Sequence, residues 1–175
     1  MCNMLQLGGS FLNKAVLSLR TGSKIAIVVS PIINPNNLKI EGFYAQDGVN
    51  KHHMILLSQD IRENSLQGFI VNDQEVLSDP EDLVRLKEVL KLQFEIINKP
   101  VVTDSGSKLG KINDFAVDSE TLYVQKLYVG QSLLKSFSGG QLSIDRGQIV
   151  EITNRKIVVQ DILKGTPLNA AAPAG

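Results

Sequence analysis

The stretch VVTDSGSKLGK, residues 101–111, decides how this chain is read, because its glycines and lysine stand almost where a phosphate-gripping loop would need them. A Walker A loop requires glycine, four intervening residues, then Gly-Lys-Ser/Thr opening a helix, so that backbone amides surround the phosphates and the hydroxyl ligates magnesium. Here only three residues separate Gly106 from Gly110, Ile112 occupies the place of the hydroxyl, and a strand-like apolar run follows where the helix should begin. The segment predicts a hairpin turn instead, with glycine supplying the positive φ that residues bearing a Cβ adopt only at a cost.

The same signal occurs upstream. Residues 12–45, LNKAVLSLRTGSKIAIVVSPIINPNNLKIEGFYA, align with residues 97–129, INKPVVTDSGSKLGKINDFAVDSETLYVQKLYV, if the first copy carries one extra residue. Asn13, Lys14 and Val16 meet Asn98, Lys99 and Val101, and the GSK at Gly22 meets the GSK at Gly106. Beyond the turn, Ile25, Val28, Ile33, Leu38, Ile40, Phe43 and Tyr44 meet Leu109, Ile112, Val117, Leu122, Val124, Leu127 and Tyr128. A spacing of about 84 residues exceeds solenoid periods, so the pattern predicts two copies of a whole small domain rather than a stacked array. Ala26 and Ile27 stand in the first copy where the second has Gly110 and Lys111, which suits a shared turn better than a shared active site.

Elsewhere Val, Ile, Leu, Tyr and Phe cluster in short runs punctuated by Gly, Asn, Asp and Ser, the composition of strands and turns. The predicted class is mostly β: two small antiparallel β-barrels, whose closure removes the exposed edges of an open sheet. One segment differs. SDPEDLVRLKEVLKL offers Asp79 as N-cap, Pro80 at the first helical position and basic residues later, predicting a connecting or capping helix over residues 80–92 with Leu83, Leu86, Val89 and Leu90 on its buried stripe. The expected organisation is a diverged barrel over residues 1–77, a helix and connector over 78–96, a clearer barrel over 97–164 and a disordered tail over 165–175.

Composition narrows the function classes. Eighteen basic residues balance 18 acidic ones, and neither half is lopsided, so no basic block announces a nucleic-acid groove. The longest aliphatic run, IAIVV from Ile25, is far too short to span a bilayer, and the opening lacks a charged segment followed by an apolar one, so neither secretion nor a transmembrane anchor is expected. The single cysteine, Cys2, cannot form an internal disulfide and is compatible with a reducing cytoplasm.

No catalytic, cofactor or metal constellation stands out. His52 and His53 are the only histidines, and neighbours on a strand point to opposite faces. Asp114, Asp118 and Glu120 are the nearest approach to a carboxylate cluster, but they lie along a strand and turn without calcium-loop spacing. No serine occupies a Gly-x-Ser-x-Gly elbow. Tyr44 and Tyr128, at equivalent repeat positions, are candidates for stacking on a ligand, although strand aromatics more commonly serve packing.

Residues 97–129 resemble the opening of a PRC-barrel domain: an apolar entry with Lys before Pro-Val, a strand into a Gly turn, a Gly-Lys-hydrophobic step, an aspartate-led turn and an apolar strand. Residues 12–45 look like a diverged copy, departing at Ala26 and Ile27 and in the asparagine-proline turn. The resemblance implies paired small barrels that bind rather than catalyse. The family includes the cytoplasmic portion of the reaction-centre H subunit and the C-terminal domain of ribosome maturation factor M, where the barrel acts in assembly or protein contact. It has no common catalytic residues, and none are transferred. The resulting expectation is a cytoplasmic, non-enzymatic module without a cofactor, docking a protein partner, with a ribosomal protein or pre-ribosome among the candidates and DNA not among them. A pocket between the two barrels, serving a small molecule or an enzyme reaction, is the alternative.

Overall fold

The computed structural model describes residues 4–130 and 141–161, which form two curled seven-stranded sheets. The first contains β2 (Ala15–Ser18), β3 (Lys24–Asn34), β4 (Lys39–Asp47), β5 (His53–Leu57), β6 (Ile61–Asn64), β7 (Phe69–Val71) and β8 (Leu77–Ser78), in the order β6-β7-β2-β3-β4-β5-β8. The second runs β12 (Leu142–Asp145), β11 (Val124–Gly130), β10 (Lys108–Asp118), β9 (Pro100–Thr103), β14 (Ile157–Val159), β13 (Ile149–Ile152), with β1 (Leu5–Leu7) alongside β10. The architecture is mostly β and barrel-like, as the strand and turn chemistry predicts.

The two sheets repeat each other strand for strand. The pairing Ile33↔Ile40 recurs as Val117↔Val124, and Phe43↔Leu56 recurs as Leu127↔Ile144. Both copies bulge at the same step: Val16↔Ala26 is followed by Leu17↔Lys24, and Val101↔Gly110 by Val102↔Lys108. Each copy adds one parallel pair to its antiparallel ladders, Val16↔Phe69 in the first and Val101↔Ile157 in the second. That pair brings an early strand beside a late one and curls the sheet on itself. Even the unusual backbone positions coincide: φ is 61° at Asn13 and 64° at Asn98, and 58° at Leu38 and 60° at Leu122.

The GSK segments hold bends, with φ 69° at Gly22 and 92° at Gly106, and a strand begins at the lysine of each. Hydroxyls brace them. Ser18 Oγ accepts from Thr21 N and donates to Asp73, while Thr103 Oγ1 accepts from Ser107 N and Ser105 Oγ donates to Asp161. The Asn-Lys entry has a structural use as well. Lys14 Nζ lies 4.7 Å from the Phe69 ring centre and Lys99 Nζ 4.8 Å from that of Phe94, each partly buried, and that burial lowers both amine pKa values.

The cores differ in chemistry while sharing geometry. Phe11, Phe43 and Phe69 pack with ring centres 4.8–5.9 Å apart in the first copy. The second places Ile96, Leu127 and Ile157 at the corresponding positions, all buried. One continuous apolar cluster contains both sets, so the halves share a core instead of hanging as separate beads.

Joining them is a pairing with two-fold character. Ile40 N donates to Leu122 O at 2.9 Å, and Val124 N donates to Leu38 O at 2.8 Å, so equivalent residues exchange equivalent bonds as in an isologous interface. The entry segments are exchanged too. Strand β1, which opens the chain's first half, pairs with β10 of the second sheet through Gln6↔Val117. Before the second copy, the helix α1 (Lys87–Leu92) packs instead on β3 of the first sheet.

That helix is shorter than residues 80–92. Asp79 caps a 3-10 turn at Pro80–Asp82, accepting from Glu81 N at 3.5 Å, and the α-helix itself starts only at Lys87. An isolated helix of this length is marginal, so tertiary packing sets its bounds. Leu83, Leu86, Val89 and Leu90 do form the buried stripe, against Ile32, Ile55, Tyr44 and Leu57, and the break lets all four follow the sheet surface. The tail at 165–175 and Cys2 lie outside the described residues.

Candidate functional site

Between the halves, where the exchanged segments meet the sheets, lies a cleft of about 680 Å³. Its walls come in pairs from equivalent places in the two copies: Leu12 with Ile97, Ser30 with Asp114, Pro31 with Phe115. The cleft therefore straddles the pseudo-two-fold relation. The internal repeat creates it, since each copy contributes the turn that enters its Asn-Lys strand and the middle of its long strand.

Local sequence explains the shape. Gly8 lets the entry turn lie flat on the Phe115 ring; a Cβ there would sit 2.4 Å from it. Asp114 then fastens that turn, its Oδ1 accepting from Gly9 N at 3.2 Å and from Phe115 N at 2.8 Å. Across the cleft, Val89, Leu90 and the half-buried Tyr44 close one wall, and burial raises the Tyr44 hydroxyl pKa. Leu12 and Ile97 remain 50% and 41% exposed at the rim.

Of the residues singled out from sequence, Tyr44 and Asp114 line this cleft, while Tyr128, His52 and His53 do not. Asp118 has a different task. It is buried, and its Oδ1 accepts from Glu120 N at 3.0 Å and from Thr121 N at 2.8 Å, capping the β10–β11 turn. Asn34 does the same in the first copy by accepting from Asn36 N at 3.0 Å. Among the described residues no three His, Cys, Asp or Glu side chains converge as a metal site. No helix among them is long and apolar enough to cross a membrane.

The Asp118 carboxyl is held below its usual range, first by the Thr121 backbone N–H, with burial opposing and the Thr121 hydroxyl and Glu120 N–H assisting. A depressed folded-state pKa stabilises the fold above the unfolded value of about 3.9, and that contribution is lost as pH falls through the folded pKa. Thermal melts at pH about 6 should therefore show the wild type above Asp118→Asn, with the gap closing as the pH is lowered below about 4. A gap that stays constant with pH would contradict the assignment.

Sequence reasoning missed the other cleft residues, above all Leu12, Ile97, Phe94, Phe115 and Glu95. One signal was present: an apolar residue immediately before Asn13 and again before Asn98, outside the strand that follows. Nothing in the sequence shows that the two face one cleft.

Two curled sheets of one shared register, joined about a pseudo-dyad, make this a mostly β protein of two repeated, barrel-like sheets. The family model of the PRC-barrel domain matches residues 88–164, so the second half of the chain is similar to a PRC-barrel domain. The match begins inside α1, upstream of the point where the sequence repeat starts. No curated protein matches the chain.

Proposed function

We propose that this chain is a non-catalytic tandem PRC-barrel protein of the cytoplasm, in which the first half is a diverged second barrel and the cleft between the halves docks a protein partner. The observation that carries the proposal is the rim: Leu12 and Ile97 stay substantially exposed beside a core that the Phe, Ile and Leu sets already fill. Apolar side chains that do not serve the core, gathered around a concave surface from both copies, fit a docking role. PRC-barrel domains commonly mediate protein contacts, which supports the same reading. Assembly work in ribosome maturation or RNA processing is its finer form, with a ribosomal protein as partner. Among the described residues the charged ones lining the cleft are acidic, Glu95 and Asp114, which disfavours RNA itself there.

The test is affinity purification of the tagged full chain from cells, alongside a Leu12→Asp/Ile97→Asp variant whose melting temperature is measured in parallel. A partner recovered reproducibly with the wild type and lost with a folded variant is the expected result. Recovery from both would move docking away from the cleft, and recovery from neither would remove the reading; co-sedimentation of that partner with ribosomal subunits checks the finer form. A small molecule in the same cleft is the second reading, favoured by a volume within the roughly 300–1,000 Å³ of ligand pockets. Partner-independent thermal stabilisation by a metabolite would favour it.

A further inference from the structure

Although the cleft straddles a pseudo-dyad, its polar chemistry is not symmetric. Asp114 stands on one side and Ser30 at the equivalent place on the other. Among the described residues no lysine, arginine or histidine lines the cleft, so the charge they place there is negative, against mainly apolar walls. Glu95 has a neighbouring cation in Lys99, whose ammonium also donates to Asn154 O at 2.8 Å and lies over the Phe94 ring. Asp114 has none. Its Oδ1 is committed to Gly9 N and Phe115 N, whereas Oδ2 has no hydrogen-bond or ion-pair partner among the described residues. The carboxylate is thus oriented by two backbone donors, half-buried, and left with one oxygen to offer.

From this we infer that the cleft takes a basic segment of its protein partner: a lysine or arginine whose cation meets Asp114 Oδ2, flanked by apolar side chains resting on the exposed Leu12 and Ile97. The inference rests on the docking reading above and names the chemistry of the occupant. Charge complementarity selects it, because a carboxylate fixed in a partly desolvated apolar cleft rewards a cation far more than a surface carboxylate would. An acidic segment would meet only repulsion, and an uncharged apolar one would leave the oriented oxygen unpaired on binding.

The probes are three blocked peptides, Leu-Leu-Lys-Leu-Leu and its counterparts with norleucine or glutamate at the centre, titrated into the full chain while backbone amide resonances are followed. The expected result is lysine-peptide shifts concentrated at Gly8, Gly9 and Asn113 to Phe115, binding at least about tenfold tighter than either counterpart, and weakening with salt. Asp114→Asn should erase most of that preference. Asparagine retains an oxygen able to accept from Gly9 N and Phe115 N, so the variant is expected to keep the fold, which its amide spectrum checks. Equal binding of the lysine and norleucine peptides, or an unchanged preference in Asp114→Asn, would overturn the cation assignment while leaving apolar docking intact. No cleft shifts with any of the three would count against both.

Discussion

Replacing Gly110 with alanine is expected to lower the melting temperature by roughly 10 °C or more, corresponding to about 3–5 kcal/mol. Two penalties coincide. The residue has φ 137°, which a side-chain-bearing residue rarely adopts, and a Cβ built on it would lie 2.0 Å from the Gly130 carbonyl oxygen, within β11. The clash is with backbone, so no rotamer relieves it; β10 and β11 must part locally. Gly22→Ala is the internal control. Its φ is 69° but nothing lies within 4 Å, so only a conformational cost of about 1–2 kcal/mol remains. Thermal denaturation of the two variants separates these terms, and equal losses would mean that the close strand approach at Gly110 does not constrain the fold.

The same pair of glycines shows how far sequence could reach. Both GSK turns, the repeat and the aligned apolar positions were legible, because period-2 patterning and turn chemistry act over a few residues and were written twice. Ile33 with Val117 and Phe43 with Leu127, matched by sequence, occupy matching register positions in the sheets. The substitution of Ala26 for Gly110 was visible as a departure, yet its cause was not: the glycine answers to Gly130, about 20 residues away and on another strand. Helix α1 was placed correctly but drawn too long, since its N-terminal cap chemistry is satisfied by a 3-10 turn and the remainder is set by Ile32 and Ile55 beneath it. The crossing of Leu5–Leu7 onto β10 had no local signal at all, because any short apolar strand can cover any edge of suitable register. The cleft inherits that limit: it is made by long-range exchange, and only its two repeated rim residues left a trace in the chain.

The second large effect is expected in the core. Phe43 is fully buried on β4, touching Phe11 and Phe69 with ring centres 5.2 and 4.8 Å away. Truncation to alanine should cost about 3–5 kcal/mol through lost transfer free energy and the cavity left behind, again roughly 10 °C in melting temperature. Phe43→Leu, which installs the residue the second copy uses at the same register, should cost appreciably less, because shape is partly retained and neighbouring rings can settle inward. Leu127→Ala probes the other half of the molecule from the equivalent position. Since one apolar cluster includes both residues, either truncation should shift a single cooperative unfolding transition, with calorimetric and van't Hoff enthalpies agreeing. A melt that split into two steps, with Phe43→Ala moving one and Leu127→Ala the other, would show the halves unfolding separately. The shared core, and with it the rigidity that holds the cleft walls in register, would then be lost as an explanation.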